Sequence, residues 1–504
     1  MQLGMGKGMF EKVAVVGTGV MGQGIAEVMC LAGSTVLLHD AREGAAASAV
    51  ARIGDSLQRR VARGRISAED RETALARLHP VSSLSELADA SLVVEAIVED
   101  LDAKRSLMRE LEAVVAPDCI LASNTSSLSV TEIAAACAHP RRVAGYHFFN
   151  PVPAMKVVEI VAGARTDATV ADALVAFARR FGHHPIVAAD SPGFIVNHAG
   201  RGYGTEAFRL LAEQVAPFHV IDRIMREAAG FRMGPFELLD LTGLDVSHPV
   251  MESIYHQFYQ EPRFRPSPIA RRRAAAGLYG RKSGGGFYDY VEGKPVLPDV
   301  SREPVALEPA ALPSAVRILP GEGEEEVRKI ARLAGVALAD DAELALVPLI
   351  GEDATTAVCR LGLFPDRTLG FDPLFGLNTH RTLVATPATT ALSRARAQAL
   401  FTADGIPASV VEDSYGAVAQ RIVATIVNIA CDIAQQGIAT PADIDAGVRL
   451  GLNYPYGPLE WGDRIGPALI LRILETQFEI TRDPRYRPSL WLRRRAMLGL
   501  PLAG

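Results

Sequence analysis

Two residues with acid–base side chains, His147 and Glu159, are the first candidates for chemistry in this sequence. They lie in the stretch 143–161, VAGYHFFNPVPAMKVVEIV, which predicts two short apolar strands on either side of a turn with two prolines. Alone, each side chain would usually be structural. Strands that return on each other would bring the imidazole beside the carboxylate, and such a pair can take a proton from an alcohol near neutral pH.

Composition excludes several classes of function. The 504 residues are 49% hydrophobic, enough for two or three cores, and the net charge of −6 gives no nucleic-acid footprint. No run approaches the roughly 18 apolar residues of a membrane span, and residues 1–10 lack the apolar region of a signal peptide. The five cysteines are scattered without a CxxC pair, which favours reduced, buried thiols. We therefore expect a cytoplasmic protein with no membrane, nucleic-acid or metal partner.

The N-terminal third carries a nucleotide-binding signature. An apolar strand leads into the glycine-rich turn GTGVMG at 17–22, and a helix of small residues follows. Gly17 would permit the tight turn, Gly19 would let the backbone approach a pyrophosphate, and Gly22 would let helix and strand pack closely. The predicted cofactor-binding residues of this loop are Gly17, Gly19, Val20, Met21 and Gly22.

An acidic residue after the second predicted strand indicates which dinucleotide binds. The strand at 35–39 ends at Asp40, 23 residues after Gly17, where a carboxylate can accept hydrogen bonds from both ribose hydroxyls. A carboxylate there disfavours a 2′-phosphate, so the cofactor predicted is NAD rather than NADP. Arg42 is the one neighbouring residue that would favour the phosphate.

Polar residues follow the next strands of the predicted parallel sheet, at 92–97 and 119–122. Ligands of such sheets collect at the carboxyl ends of the strands, so we expect these residues to converge there. Ser127 and Ser129 are alternatively helix caps. Four of these residues follow the two strands, and a fifth lies at the end of the strand predicted from residue 143. They are Glu99, Lys104, Asn124, Ser126 and His147.

Two helical regions flank this sheet in the sequence. Residues 42–78 predict two amphipathic helices with a cluster of arginines near Ser56; this is either a solvated face or a cationic patch for a phosphorylated substrate. A long helical region is predicted from Pro192 to about residue 216. Asn197 lies on its mostly apolar face, where a buried amide must find hydrogen-bond partners.

The second half of the chain repeats part of the first. Residues 221–243 match 444–466 at eight of 23 positions, and residues 263–278 match 485–500 at ten of 16. Chance would give about one or two matches in each window. The helical domain is therefore duplicated.

The repeat also acts as a control for the chemistry. With an offset of 223 residues, Asn197 aligns with Gln420 and Glu159 with Thr382, while the region around His147 aligns with 369–371. No second glycine-rich loop occurs. The second copy has kept packing residues and lost the polar set, which predicts one active site per chain.

The predicted fold is an α/β Rossmann-type NAD domain followed by an all-α domain, a degenerate α/β segment and a second copy of the all-α domain. The segment between the halves is rich in Pro and Glu and predicts a linker. The predicted boundaries are 10–189 for the NAD-binding domain, 190–290 for the first helical copy, 291–325 for the linker, 326–412 for a truncated α/β remnant and 413–504 for the second helical copy.

Five motifs resemble those of the L-3-hydroxyacyl-CoA dehydrogenase family. They are GTGVMGQG (17–24), LVVEAIVED (92–100), SNTSSLSV (123–130), GYHFFNPVPAMKVVEIV (145–161) and DSPGFIVN (190–197). The resemblance covers residues 11–290 well. It implies His147 as general base, Glu159 as its partner, and Ser126 and Asn197 as hydrogen-bonding groups around the reacting oxygen.

The same resemblance implies further contacts. Glu99, Lys104 and Asn124 would contact NAD, and Asn150 would lie near both nicotinamide and substrate. The helical hairpin would meet coenzyme A through Ser56 and Arg63, although the family often has lysines where this chain has arginines. The implied reaction is oxidation of a (3S)-3-hydroxyacyl-CoA to the 3-oxoacyl-CoA with NAD⁺.

The chain length and the second helical domain resemble the phenylacetate-degradation type of this family, which acts on 3-hydroxyadipyl-CoA; 3-hydroxybutyryl-CoA of fatty-acid degradation is the other substrate considered. The adipyl group ends in a carboxylate. Arg201, one helical turn past Asn197, would pair with it. A surface or interdomain salt bridge is the alternative role for this arginine.

Two other functions and two assemblies stay open. A β-hydroxyacid dehydrogenase of another type has a similar glycine loop, but uses a lysine where this chain has Asn197. A non-catalytic structural protein on the same fold is the second alternative. Short family members pair their helical domains across a dimer, so the chain is expected to be either a homodimer or an intrachain pseudo-dimer.

Overall fold

The computed structural model describes residues 10–297 and 312–504. Residues 1–9, for which no signal peptide is predicted, and residues 298–311 of the predicted linker lie outside the described residues. The chain divides into two compact units. The first comprises Met1–His198 and Gln436–Leu452, and the second comprises Ala199–Gln435 and Asn453–Gly504.

The strands form one sheet in each unit and a small hairpin. They are β1 (Lys12–Val16), β2 (Thr35–His39), β3 (Leu78–Pro80), β4 (Leu92–Glu95), β5 (Ile120–Ser123), β6 (Val143–Phe148), β7 (Val157–Ala162), β8 (His184–Ala189), β9 (Asp289–Val291), β10 (Lys294–Val296), β11 (Ala315–Ile318), β12 (Ala337–Leu338), β13 (Leu344–Pro348), β14 (Thr368–Phe371), β15 (Arg381–Ala385) and β16 (Ala408–Glu412).

The helices cover these sheets and build the helical domains. They are α1 (Val20–Leu31), α2 (Ala45–Ala62), α3 (Ala68–Leu75), α4 (Leu101–Val114), α5 (Val130–Ala134), α6 (Ala168–Arg180), α7 (Val196–Ala199), α8 (Arg201–Ala212), α9 (Phe218–Glu227), α10 (Pro235–Thr242), α11 (Leu244–Gln257), α12 (Pro268–Ala275), α13 (Glu324–Leu333), α14 (Ala354–Leu361), α15 (Ala391–Thr402), α16 (Val418–Gln435), α17 (Pro441–Leu452), α18 (Pro458–Ile465), α19 (Pro467–Thr481) and α20 (Leu490–Leu498).

The sheet of the first unit has the strand order β3-β2-β1-β4-β5-β6-β7-β8. Every neighbouring pair is parallel except β6 and β7, which are antiparallel. Alternate residues of β1 enter different cores: Val13 and Val15 face one, Ala14 and Val16 the other. A parallel sheet covered on both faces explains why the strands are continuously apolar. The predicted Rossmann-type sheet is confirmed.

The second unit contains a six-stranded sheet of order β12-β11-β13-β14-β15-β16. Only β14 and β15 are antiparallel among its neighbouring pairs, which mirrors the antiparallel step in the first sheet. The second α/β segment begins earlier in the sequence than predicted, because β11 lies within residues 291–325, which were predicted to be a linker. Val316 and Ile318 of that strand are buried, so β11 is part of the hydrophobic core.

The repeated helices begin at matching intervals. Helices α10 and α18 both start at a proline after a glycine, 223 residues apart, and the same spacing relates α11 to α19. In the residues that the structure describes, no helix is both long and apolar enough to cross a membrane. The cysteines are free, and four are buried, but Cys359 on α14 is exposed, so the prediction of burial is wrong for that thiol.

Candidate active site

The register of β6 and β7 places His147 directly opposite Glu159. Nδ1 of the histidine lies 2.6 Å from Oε2 of the glutamate, and the two residues are 3% and 0% exposed. Because an ionised carboxylate can only accept hydrogen bonds, Nδ1 carries the proton. Nε2 therefore presents a lone pair, as a general base requires.

The second carboxylate oxygen of Glu159 is held by backbone. Oε1 accepts hydrogen bonds from the amides of Ile195 (3.0 Å) and Val196 (2.8 Å). The turn before them is left-handed at Gly193 (φ 76°) and Phe194 (φ 50°), and successive amides in such a turn form an anion-binding nest. The helix predicted from Pro192 begins only at α7, because this turn precedes it.

Ser126 and Asn197 complete the predicted set. Oγ of Ser126 lies 3.1 Å from Nε2 of His147, on the side of the ring away from Glu159. The side-chain amide of Asn197 donates to the carbonyl oxygen of Ser126 at 3.5 Å. The structure thus brings together all four residues for which the sequence predicts a catalytic role: Ser126 contacts Nε2 of the imidazole, and Asn197 contacts the backbone of Ser126.

The turn that carries Ser126 is shaped by Glu99. Its Oε1 accepts from the amide of Ser126 (2.8 Å), the amide of Ser127 (3.0 Å) and the hydroxyl of Thr125 (2.8 Å). Burial alone would raise the pKa of Glu99, but the charge of Lys104 and these donors outweigh it and lower the pKa. Glu99, predicted to contact NAD, therefore also orders the catalytic turn.

Sequence reasoning missed Glu95, the last residue of β4. It is 0% exposed, and both of its oxygens lie 2.9 Å from Nζ of Lys104, which is itself 1% exposed. Lys104 also lies 3.5 Å from Glu99. An acid at the carboxyl end of an otherwise apolar strand was the signal that could have revealed this buried pair. Lys104, expected at the cofactor, is bound within the protein by two carboxylates.

Asn124 ties two strands together. Its Oδ1 accepts a hydrogen bond from the amide of Phe148 at 2.8 Å, which joins the carboxyl ends of β5 and β6. Ser129 caps α5 by accepting from the amide of Glu132, so the capping role considered for this residue is confirmed. These contacts fix the loops on either side of Ser126.

The glycine-rich loop forms a cradle that fits a dinucleotide. Gly17 has φ 92°, and a Cβ there would lie 2.6 Å from the carbonyl oxygen of Ala96. A Cβ on Gly22 would overlap the carbonyl oxygen of Gly17, whereas a Cβ on Gly19 would meet nothing within 4 Å. Open space before the first turn of α1, where Val20 is 70% exposed, is what a pyrophosphate needs at a helix N-terminus.

Asp40 lies at the end of β2 with its carboxylate already ordered. Oδ2 accepts from the amide (2.9 Å) and hydroxyl (2.7 Å) of Thr18, and Oδ1 accepts from the amide (3.0 Å) and Nε (3.2 Å) of Arg42. Burial alone would raise the pKa of Asp40, but the hydrogen bonds from Arg42 and Thr18 hold it well below its usual range. Arg42 is thus paired with Asp40, the acid predicted to favour NAD over NADP.

A cavity of about 560 Å³ lies between α1, α2 and the loop after β6. Ser56 and Asn150 line it together with Arg52, Arg59, Arg60 and Arg65. Nη1 of Arg60 pairs with Glu27 at 3.0 Å, which leaves the other arginines to set a positive rim. Arg63, predicted to bind substrate, is exposed at the end of α2 and does not line this cavity among the described residues.

Arg201 begins α8 in the second unit. Its Nε and Nη1 atoms are inaccessible to solvent and have no hydrogen-bond partner in the described parts of the chain, and the same holds for the hydroxyl of Tyr454. Burial lowers the pKa of Arg201 to about 10. A salt bridge, the alternative role for this arginine, is not formed within those residues.

The second sheet shows what occupies the place of the catalytic pair in the other copy. Asp372 donates its amide to the carbonyl oxygen of Thr382 at 3.0 Å, so the residue opposite Thr382 is Asp372 rather than one of 369–371. Gln420 donates to its Oδ1 at 2.8 Å. The sequence alignment was displaced because β14 and the loop after it differ in length from their counterparts. Asp372 is 1% exposed, and burial raises its pKa to about 6.

A Rossmann-type sheet with a dinucleotide cradle, beside a buried histidine–carboxylate pair, defines an NAD-dependent oxidoreductase. The family model described as 3-hydroxyacyl-CoA dehydrogenase, NAD binding domain, matches residues 12–191. The model of the C-terminal domain of the same enzymes matches twice, at 193–290 and 416–501. The chain belongs to the 3-hydroxyacyl-CoA dehydrogenase family, which confirms the predicted enzyme class, cofactor and duplication.

Individual relatives agree with this membership. The chain is 40% identical over 492 residues to the 3-hydroxyadipyl-CoA dehydrogenase of Escherichia coli K12, covering 97% of this chain and 98% of that one. It is 40% identical to the 3-hydroxybutyryl-CoA dehydrogenase of Bradyrhizobium diazoefficiens over 57% of this chain and 97% of the relative. A crystal structure of a 3-hydroxybutyryl-CoA dehydrogenase from E. coli K12 superposes with a TM-score of 0.84 at 39% identity, covering 97% and 98%.

Proposed function

We propose that the chain oxidises the hydroxyl group of a (3S)-3-hydroxyacyl-CoA through His147, Glu159, Ser126 and Asn197. The observation that carries the proposal is the 2.6 Å contact between Nδ1 of His147 and Oε2 of Glu159, which leaves Nε2 free to accept a proton. When bound, NAD⁺ would supply the hydride acceptor for the substrate carbon. The glycine loop and Asp40 are the residues that would hold it.

The protein's own part in the reaction is proton transfer and orientation. An alcohol is a weak acid, so Nε2 of His147 accepts its proton as the carbonyl forms. Glu159 stabilises the resulting imidazolium and fixes the tautomer. The hydroxyl of Ser126, 3.1 Å from Nε2, lies where it can contact the reacting oxygen as well, and the amide of Asn197 is beside the same turn.

Replacement of His147 tests this assignment. His147→Gln should lower kcat by about 10²–10⁴, because general base catalysis contributes that much. NADH formation from 3-hydroxybutyryl-CoA is the measurement. His183→Gln is a matched control: this histidine is 3% exposed in the same unit, and its Nε2 contacts only the carbonyl oxygen of Val152, at 3.0 Å. Activity of His147→Gln within about tenfold of wild type would refute the assignment.

We propose 3-hydroxyadipyl-CoA as the preferred substrate, with Arg201 as the group that binds its distal carboxylate. The E. coli relative over nearly the whole chain carries that name. The Nε and Nη1 donors of Arg201 have no partner within the described residues, and a guanidinium is the group that carboxylates bind through charge-assisted hydrogen bonds. Arg201 follows Asn197 by one helical turn along the chain.

Two substrates separate this proposal from the general reaction. A charge-assisted hydrogen bond to a carboxylate is worth about 1.5–3 kcal/mol, so Arg201→Met should lower kcat/KM for 3-hydroxyadipyl-CoA by about 10- to 100-fold. The value for 3-hydroxybutyryl-CoA, which has no distal carboxylate, serves as the control and should stay within about threefold. Equal losses for both substrates would refute a carboxylate-specific role.

We propose that the arginine-lined cavity beside Ser56 receives the phosphates of coenzyme A. Phosphate binding by arginine depends strongly on ionic strength. Arg65→Ala should therefore raise KM for the acyl-CoA and weaken its dependence on salt, with kcat unchanged. Arg63→Ala, at the exposed end of α2, is the comparison. A larger effect of Arg63 than of Arg65 would place the phosphates outside the cavity.

We propose further that the chain is an intrachain pseudo-dimer and stays monomeric. Two corresponding arginines of the repeat reach acids of the opposite copy: Arg263 lies 3.2 Å from Asp432, and Arg485 lies 3.4 Å from the fully buried Glu206. Helix α8 also packs along α16, where Gly202 lies beside Thr425 and Ile429. Such reciprocal contacts are the pattern of a two-fold interface.

Light scattering on the purified chain tests this assembly. A monomer of 53.9 kDa is expected at all concentrations from nanomolar to micromolar. A concentration-independent mass of twice that value would show that the helical domains pair between chains instead.

A further inference from the structure

Helix α17 belongs by sequence to the second helical copy, yet it lies in the first compact unit, with the catalytic sheet. We propose that α17 positions Glu159, and that Gly447 and Gly451 are positioning residues because they let the helix approach the backbone that holds this carboxylate. The inference rests on the proposed roles of His147 and Glu159.

The helix is fastened to the sheet that carries Glu159. It packs against β7 and β8, and just before it the carbonyl oxygen of Ile438 accepts a hydrogen bond from the amide of Ala189 at 2.8 Å. Ile444 and Val448 on α17 are fully buried. Together with Gly447 and Gly451 they form one stripe at helical spacing, so this face of the helix is the one that is covered.

The two glycines face the residues whose amides hold Glu159. A Cβ on Gly451 would lie 2.8 Å from Cγ1 of Val196, and a Cβ on Gly447 would lie 3.0 Å from Cδ1 of Ile186 and 3.4 Å from Cγ2 of Ile195. Ile195 and Val196 are themselves fully buried. Because protein interiors are close-packed, a methyl group added at Gly451 must displace the side chain of Val196. A β-branched side chain in a helix has one strongly preferred rotamer, so we expect part of this displacement to reach the backbone of Val196.

That displacement would be transmitted to the general base. The amides of Ile195 and Val196 donate to Oε1 of Glu159, and Oε2 of the same carboxylate accepts from His147. The path from helix to base therefore runs through the β-branched side chain of Val196, the 195–196 amides and the buried carboxylate of Glu159. A misplacement of about 1 Å in a catalytic geometry can cost about 10²-fold in rate.

The repeat shows that the helix itself does not need glycine at these positions. With the offset of 223 residues, Gly447 and Gly451 correspond to Ile224 and Ala228 at the end of α9. Ile224 is fully buried in its own environment. The glycines therefore occur in the copy of the helix that packs on the catalytic sheet, which is what a positioning role requires.

The test is a rescue experiment in the full-length chain. Gly451→Ala should lower kcat by about 10- to 100-fold with KM for NAD unchanged. Adding Val196→Ala removes the methyl groups that the new Cβ meets, and it should restore kcat to within about threefold of Val196→Ala alone. The Nδ1–H proton of His147, visible downfield in the proton NMR spectrum when shared in a short hydrogen bond, should shift in the single variant and return in the double variant.

Gly462→Ala is the matched control. A Cβ on this α18 glycine would lie 2.5 Å from Cδ1 of Leu502 and 2.8 Å from Cγ1 of Val427, so it is equally crowded but within the second unit. It should lower thermal stability and leave both kcat and the His147 resonance unchanged. If Gly451→Ala fails to fold, the double variant must fold and be active.

Two results would overturn the inference. The first is a Gly451→Ala variant whose kcat stays within about twofold of wild type while His147→Gln is inactive. That result would refute the role of α17 and leave the proposed function intact. The other is failure of Val196→Ala to restore the activity or the folding of Gly451→Ala. If instead His147→Gln keeps its activity, the proposed function itself fails.

Discussion

Replacing Glu159 by glutamine keeps the size of the side chain and removes its charge, in a position where every oxygen has an assigned partner. Oε2 accepts from His147, and Oε1 accepts from the amides of Ile195 and Val196. The residue is 0% exposed, so water cannot replace a lost partner. The amide has only one acceptor atom, and it must choose between the imidazole and the backbone.

Both choices are costly. If the amide oxygen faces the backbone, the NH₂ group faces Nδ1, and the imidazole must carry its proton on Nε2, where it can no longer act as a base; that contribution is about 10²–10⁴ in rate. If the oxygen faces His147, two buried amides of the backbone lose their acceptor, at about 1–3 kcal/mol each. The second choice destabilises the folded state rather than the transition state, so it would appear as a lower melting temperature. We therefore expect either a fall in kcat of about 10²–10⁴ or a loss of stability of about 2–6 kcal/mol.

Single-turnover kinetics is the appropriate assay, because product release often limits kcat in the steady state. Enzyme in excess is mixed with 3-hydroxybutyryl-CoA and NAD⁺, and NADH absorbance is followed with protiated and 3-deuterated substrate. The deuterium effect identifies the hydride step. A rate constant for that step within about tenfold of wild type, with an unchanged melting temperature, would refute the tautomer argument.

Three further predictions concern buried charges and the cofactor. Burial raises the pKa of Asp372 to about 6, above the value of about 3.9 in an unfolded chain. The folded chain therefore binds this proton more tightly, and its stability falls as pH rises from about 4 to 6. In Asp372→Asn, the melting temperature followed by circular dichroism should no longer fall over this pH range. Lys104→Met leaves Glu95 buried without its cation and should cost about 3–5 kcal/mol in urea unfolding, whereas a residue that only contacts NAD would change KM alone. Asp40→Ala should raise KM for NAD by about tenfold and reduce the preference over NADP, measured by kcat/KM for both cofactors.

Local patterns were sufficient to predict that His147 and Glu159 lie together. Two apolar strands around a proline turn must be antiparallel neighbours if they pair at all, and His147 and Glu159 then fall in register. The glycine spacing likewise predicts the cradle, because each glycine stands where a side chain would clash with nearby backbone or block the approach of a ligand. The expected helix from Pro192 was wrong by one turn, since the left-handed turn at Gly193 and Phe194 depends on a carboxylate that is distant in sequence.

Other parts of the site depend on packing that no local pattern records. In the sequence, nothing distinguishes Glu95 and Lys104 from ordinary strand and helix residues. In the fold, Nζ of Lys104 lies 2.9 Å from Oε1 of Glu95. The glycines of α17 read as weak helix formers, because the side chains that they approach lie far away in sequence. Arg63 was preferred over its neighbours on motif register alone, and the orientation of α2 turns other arginines towards the cavity.

The two copies of the α/β unit separate what the architecture needs from what the chemistry needs. Both keep a polar residue at the end of the strand before the antiparallel step: His147 in one and Asp372 in the other. In the second copy Gln420 donates to Oδ1 of that residue and also bonds the backbone at Leu349 and Gly351. A buried polar contact is therefore present beside this step in both copies, whereas the imidazole with a carboxylate held by backbone amides belongs to the first.

The two helical copies also pack on each other's sheets. In the second unit, α9 of the first helical copy packs on the second sheet's loop, with Glu227 2.7 Å from His380 and Ala228 beside Gly376. In the first unit, α17 of the second helical copy packs on the catalytic sheet. Each helical copy thus supplies one helix to the other copy's sheet. Deletion of the second half would remove a helix that packs beside Ile195 and Val196, so we expect the proposed active site of the first copy to require the second copy.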